Sequence, residues 1–282
     1  MLRSCELEHI ARGICSDNNH NYVRFIAAGA FKETYQIQDD KIYYALKVFK
    51  ANNQTERIDR EIDAMKRLNS QNIACLHKVD SYICPSGTFL YLYEEYLPGG
   101  TLTEMMNRNG CITKKGILSI GRDLITALEA TYNERIVHRD IKPDNIMFRG
   151  EQTEAVLVDF GLVRDLDAAS LTQAHHQRGP GTALYSSPEQ LNNQKPLIDW
   201  RSDQFSLGIT LCEAMLGVHP FDSGNIFSTI DRVSSMKSCN KTTMEHLTDL
   251  GLEPLIKMIE PWPIKRFRKP CQLWESWNEL EC

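Results

Sequence analysis

The chain has 282 residues, 42% hydrophobic and 24% charged, which supplies a sizeable core and excludes a disordered or collagen-like polymer. A formal net charge of -5 disfavours nonspecific nucleic-acid binding, which needs a basic face. No stretch approaches the ~18 apolar residues of a membrane span, and the nine cysteines, odd in number and without a CxxC pair, fit reduced thiols better than a disulfide framework. A cytoplasmic protein with no nucleic-acid or membrane partner is expected.

In chain order, residues 1–21 read as an N-terminal extension whose acids interrupt any leader-like apolar run. Short strand-like runs follow in "NYVRFIA", "TYQIQD" and "KIYYALKVF", then in "CLHKVDSYIC" and "FLYLYEEYL", with turn residues such as Asp39, Asp40 and "PSG" between them. One helix interrupts them: in "ERIDREIDAMKRLN" the apolar residues Ile58, Ile62, Met65 and Leu68 recur at spacings of three or four. Past "LPGG" the texture becomes helical. "KKGILSIGRDLITALEATYNE" predicts a long amphipathic helix, and "SDQFSLGITLCEAMLG" one apolar nearly all round, hence buried, and ended by Gly217 and Pro220. Two lobes are expected, residues 22–96 rich in strands and residues 97–282 rich in helices.

The chemistry lies in "IVHRDIKPDNIMF" and "VLVDFGLVRD". Asp140, Lys142 and Asn145 in the first and Asp159 in the second put two acids, a carboxamide and an ammonium on tight turns beside strands. Together they suit a hard cation and a phosphoryl group. Taken singly, each residue reads as a cap or turn residue.

"HRDIKPDN" and "DFG", with "YALKVF" upstream and "GTALYSSPEQ" downstream, resemble the motifs of eukaryotic-like Ser/Thr protein kinases, over about Tyr22 to residue 277. The format is similar to short soluble bacterial members. The resemblance implies a bilobal α+β kinase-like fold, with a small β-rich N-lobe carrying one helix and a larger α-helical C-lobe. It further implies phosphorylation of serine or threonine on a protein substrate, with ATP and Mg²⁺, and autophosphorylation of the activation segment; self-association for trans-autophosphorylation stays open.

Carried over by residue, Asp140 accepts the hydroxyl proton, Lys142 steadies the γ-phosphoryl group, and Asn145 and Asp159 hold Mg²⁺. Thr182 bridges Asp140 and Lys142, and Lys47 contacts the α and β phosphates, held by an ion pair with Glu61. Ile26, Thr34, Ala45 and Met147 enclose the adenine, whose edge meets backbone groups of Glu95 and Leu97. Ala27 and Gly29 belong to the phosphate loop. Glu189 is expected to pair with Arg266, while Arg139 and Arg164 suit a phosphate on Ser170 or Thr172. His175 and His176 read as solvated loop residues.

Two departures stand out. "AAGAFKETY" (residues 27–35) keeps only Gly29 where the family has three glycines; Lys32 in it reads either as solvated or as reaching the phosphates. Glu94 puts a carboxylate where the family has an apolar or small residue, and can compete with Glu61 for Lys47. These departures leave a pseudokinase, a nucleotide-binding or interaction module, as the alternative. A small-molecule phosphotransferase, the third class, is not expected to carry "HRDIKPDN" together with "GTALYSSPEQ".

Overall fold

The computed structural model describes residues 6–50, 55–150, 154–161, 164–166 and 180–280. The chain divides into two compact units, Met1–Lys66 with Ala74–Pro98, and Arg67–Ile73 with Gly99–Cys282.

The first unit is built on one antiparallel sheet. Its strands are β1 (Asn21–Ala28), β2 (Lys32–Asp39), β3 (Ile42–Phe49), β4 (Leu76–Cys84) and β5 (Gly87–Glu95), in spatial order β1-β2-β3-β5-β4. Helix α2 (Thr55–Arg67) lies between β3 and β4 in sequence. The register pairs Thr34 with Lys47, Ala45 with Gln36 and Glu94, and Lys47 with Leu92, so these side chains share one face. On that face Phe49 and Leu92 pack against Ile58 and Ile62 of α2.

The opposite face carries Tyr35, Ile37, Leu46, Val48, Phe89, Tyr91 and Tyr93. A second helix covers it. Helix α1 (Glu8–Asp17), inside the segment read from sequence as an extension, buries Ile10, Ala11, Ile14 and Cys15 there. Its preceding residue, Leu7, has no capping side chain of its own. Glu33 of β2 supplies one from outside the helix: its carboxylate accepts the backbone N–H groups of Glu6 (3.2 Å) and Leu7 (3.1 Å), as well as the Tyr35 hydroxyl. A negative charge at a helix N-terminus is favourable, and here Glu33 is fully buried, as is Tyr35. The single helix expected in this lobe thus becomes two, because α1 needs the tertiary sheet face to bury its apolar stripe.

The second unit contains α3 (Leu102–Asn109), α4 (Lys114–Asn133), β6 (Ile136–Val137), β7 (Ile146–Phe148), β8 (Ala155–Leu157), β9 (Arg164–Asp165), α5 (Pro180–Ala183) and α6 (Pro188–Leu191). Then come α7 (Trp200–Leu216), α8 (Ile226–Ser234), α9 (Lys241–Asp249), α10 (Glu253–Met258) and α11 (Pro270–Asn278). Strand β7 pairs with β8, and β6 with β9. Helix α7 is buried almost throughout, as its all-round apolar sequence predicts, and ends at Gly217, whose φ of 70° is left-handed. Helices α4 and α11 approach closely at Gly121, where a Cβ would lie 2.0 Å from the Trp277 ring.

The expected pair of Glu189 and Arg266 forms, with Nη1 to Oε1 at 2.7 Å and Nη2 to Oε2 at 3.1 Å, neither side chain exposed. The "IKRFRK" run is therefore in part a structural feature, with Arg266 as its buried member. Among the described residues no helix is long and apolar enough to cross a membrane. Cys15, Cys75, Cys84, Cys111, Cys212, Cys239 and Cys271 are all free thiols.

Candidate active site

In the second unit the loop after β6 is held from beneath by α7. Asp203, fully buried, accepts the backbone N–H groups of His138 (2.7 Å) and Arg139 (2.8 Å). Burial pushes its carboxyl up to about 7, opposed by the two amides and the Arg139 guanidinium. Those bonds hold Arg139 at φ 70°, a conformation that costs a non-glycine residue energy and survives because its surroundings over-determine it. The Gln190 amide adds a bond to the Arg139 carbonyl at 3.2 Å.

His138 orders the turn a second time. Its Nδ1 accepts the Asp140 N–H at 3.2 Å, so Nε2 carries the proton and donates to the Val158 carbonyl at 3.1 Å. The ring also packs edge-on against Phe160, with centroids 4.7 Å apart. Burial pushes the imidazole pKa below its ordinary value, which keeps the ring neutral as this bonding requires.

The reactive groups stand on that support. The Lys142 ammonium lies 3.1 and 3.3 Å from the Asp140 oxygens and donates to the Thr182 hydroxyl at 2.9 Å. Lys142 is thus the bridge between Asp140 and Thr182, a role the sequence reading had given to Thr182. The Asn145 amide nitrogen bonds the Asp140 carboxylate at 3.0 Å and the Asp140 carbonyl at 2.8 Å. Pro143–Asn145 form a 3-10 turn, and the Asn145 carbonyl accepts the Val158 N–H at 3.0 Å, tying this loop to the segment bearing Asp159.

Asp159 has φ 64°, and its Oδ1 accepts the Gly161 N–H at 3.2 Å. Asn145, whose amide nitrogen bonds Asp140, brings a carboxamide oxygen, and Asp159 brings a carboxylate. Oxygen donors without thiolate or imidazole are the donor set of a hard divalent cation, and the residues fit one. Met147, half-buried, sits on β7 opposite Val156.

In the first unit the placements differ more from expectation. Gly29 donates its N–H to the Lys32 carbonyl at 2.8 Å; its φ is not left-handed, and a Cβ would meet that carbonyl at 3.3 Å. Ala27 pairs with Thr34 across β1 and β2, while Ile26 is exposed and Leu97 buried. The Glu95 N–H is taken by the Cys75 carbonyl at 2.9 Å.

The expected pair of Lys47 and Glu61 is not made. Lys47 bonds Glu94 instead, Nζ to Oε2 at 2.5 Å, and Glu61 bonds Lys32. The cause is register: Lys47 lies opposite Leu92, so Glu94 is its diagonal neighbour on the same face. Lys32 lies opposite Phe49, whose ring packs with Ile58 and Ile62 on the helix that carries Glu61.

Sequence reasoning missed Asp203, His138 as a support, and Glu33. A signal existed for the first, since an acid within a helix apolar nearly all round has no exposed face and must meet a partner. Ser170, Thr172, His175 and His176 lie outside the described residues, and for Arg164 only the backbone is described.

A protein kinase domain model matches residues 21–268. The chain belongs to the protein kinase family. Its relatives include a Clostridium perfringens protein named "Probable serine/threonine-protein kinase", 28% identical over 263 residues, covering 89% of this chain and 36% of the relative. Serine/threonine-protein kinase PknB of Mycobacterium tuberculosis is 30% identical over 200 residues, covering 68% of this chain and 32% of that one. Serine/threonine-protein kinase PknA of a Nostoc species is 30% identical over 222 residues, covering 72% and 38%. This kinase chain thus spans about a third of the length of these curated relatives.

Proposed function

We propose that this chain transfers the γ-phosphoryl group of ATP to serine or threonine hydroxyls of a protein substrate, with Mg²⁺ as its metal, and phosphorylates its own activation segment. The observation that carries the reading is the network of Asp140, Lys142 and Asn145 on a loop clamped by Asp203, with Lys142 bonded to Thr182 of α5.

Asp140 orients the acceptor hydroxyl and takes its proton, with the Asn145 amide and Lys142 fixing the carboxylate's direction. Lys142 stands beside that carboxylate as a point charge for the phosphoryl group in transfer, and Thr182 keeps the ammonium from collapsing wholly onto Asp140. Asn145 and Asp159 are the oxygen ligands for Mg²⁺, which when bound neutralises charge on the phosphate oxygens. Lys47 binds the α and β phosphates. Ile26, Ala27, Gly29, Thr34, Ala45, Glu95, Leu97 and Met147 serve the nucleotide.

The relatives' names support serine and threonine as acceptors. The pseudokinase alternative finds no support, since Asp140 and Asn145 are present on an ordered loop and Asp159 on the segment tied to it. Free thiols and negative net charge support a cytoplasmic protein acting on proteins rather than nucleic acid.

The test is incubation of purified protein with labelled Mg-ATP and a generic acceptor protein, with phosphosites mapped by mass spectrometry. Asp140→Asn and Asp159→Asn should each retain the fold and abolish transfer, loss of general-base positioning at Asp140 alone costing about 10² to 10⁴ in rate. Wild-type turnover in either variant would refute the assignment.

A further inference from the structure

Two ion pairs in the first unit connect the four charged groups differently from the pairing that the sequence motifs imply. Lys47 and Glu94 meet at 2.5 Å with side chains 9% and 2% exposed. Lys32 and Glu61 meet with side chains 13% and 4% exposed. Both pairs lie on the sheet face that packs against α2; the strand register sets Glu94 diagonally beside Lys47, and Lys32 meets Glu61 of the helix.

We propose that Glu94 is the positioning residue for the Lys47 ammonium in this protein, and that Glu61 positions Lys32 of the phosphate loop instead. The inference rests on the phosphotransfer reading above.

Glu94 is suited to the task. Its carboxylate is carried by a central strand, so it cannot swing away as a helix-borne acid can when the helix shifts. Desolvation strengthens its hold on the ammonium, because little water competes for either group. Its second oxygen, Oε1, is buried and takes no hydrogen bond among the described residues, so nothing else draws the carboxylate out of line with Lys47. The Lys47 ammonium has three donors and Glu94 accepts one, which leaves donors for phosphate oxygens without breaking the pair.

The second pair has a different consequence. Lys32 begins β2 directly after the loop turn closed by the Gly29 N–H to Lys32 carbonyl bond. Glu61 therefore ties α2 to the phosphate loop, and nucleotide phosphates compete with Glu61 for the Lys32 charge. Where the implied pairing couples α2 to the lysine of β3, this arrangement couples it to the loop.

A crossover of amine labelling tests the pairing without depending on activity. Full-length wild type, Glu94→Gln and Glu61→Gln are treated with an acylating amine reagent at pH 8, and the labelling rates of Lys47 and Lys32 are read by peptide mass spectrometry. A lysine whose ammonium is held in a buried ion pair is slow to react, and losing the partner carboxylate releases it to the reagent. Glu94→Gln should speed labelling of Lys47 by at least about threefold and leave Lys32 unchanged; Glu61→Gln should do the reverse. General loosening would raise both rates in both variants, and Glu94→Asp, which keeps the charge, should then restore slow labelling of Lys47.

In the kinase assay Glu94→Gln should lower kcat by about tenfold or more, and Glu61→Gln should act chiefly on the KM for ATP. Faster Lys47 labelling and lost kcat in Glu61→Gln, with Glu94→Gln near wild type, would overturn the proposal, as would rates raised alike in both variants and unrestored by Glu94→Asp. A wild-type protein without phosphotransfer would refute the functional reading instead, while the labelling crossover still decides the pairing.

Discussion

Replacing Arg266 with methionine should destabilise the second unit severely. The guanidinium donates to both Glu189 oxygens, at 2.7 and 3.1 Å, and to the carbonyls of Glu260 (2.7 Å), Pro261 (2.8 Å) and Arg201 (3.0 Å), and its carbon lies 4.5 Å from the Phe205 ring centroid. Methionine keeps much of the packing against Phe205 but loses the bonds to three carbonyls and leaves Glu189 charged in a site with no exposure, where among the described side chains only the Ser202 hydroxyl, at 2.7 Å, still donates to it.

Breaking a buried pair from one side costs about 3–5 kcal/mol. With an m-value of about 2–3 kcal/mol per molar urea, the midpoint should fall by about 1–2.5 M. Trp200, Trp262, Trp274 and Trp277 all lie in the second unit, so tryptophan fluorescence reports its unfolding selectively. The double variant Glu189→Gln with Arg266→Met removes the stranded charge and should regain half or more of the loss. A single-variant loss below about 1 kcal/mol, or a double variant bearing the sum of the two single losses, would refute the view that the cost is an uncompensated charge.

Glu33→Gln should weaken the seat of α1 by about 1.5–3 kcal/mol, because the residue's bonds to the amides of Glu6 and Leu7 lose their charge assistance. Faster amide hydrogen exchange at Ala11 through Cys15 is the expected reading, and unchanged exchange there would refute it. His219 should make stability fall on acidification. Its Nδ1 accepts the Phe221 N–H at 3.2 Å and Nε2 faces the Leu184 carbonyl at 3.1 Å, while burial pushes its pKa down to about 4. The unfolded chain takes up this proton near pH 6.5 and the folded one resists until about 4, so stability is complete above 6.5 and is lost as pH falls through that window. At pH 5 the loss should be about 2 kcal/mol and should be reduced in His219→Gln; an equal pH slope of the urea midpoint in both proteins would contradict it.

Much of the site was legible because its chemistry is local. Asp140, Lys142 and Asn145 stand on one loop, so their spacing along the chain already sets their spacing in space, and the bonds among them follow. Strand and helix positions were legible for the same reason, since a period of two or of three to four shows which face each run must bury. The pair of Glu189 and Arg266 came from motif resemblance, since no local rule joins residues so far apart in sequence.

What the tertiary structure alone decided is partnership across elements. Lys47 is near Glu94 because the register of β3 and β5 places it so, and Lys32 is near Glu61 because α2 packs on the same face; a shift of one residue would send the strand side chains to the other face. Helix α1 is short and studded with charge, too weak to specify itself in isolation, and exists because a sheet face and the Glu33 carboxylate await it. Asp203 follows the same logic. A buried carboxylate needs partners that converge on it, here two backbone amides, and that convergence is created when the loop after β6 lies against α7.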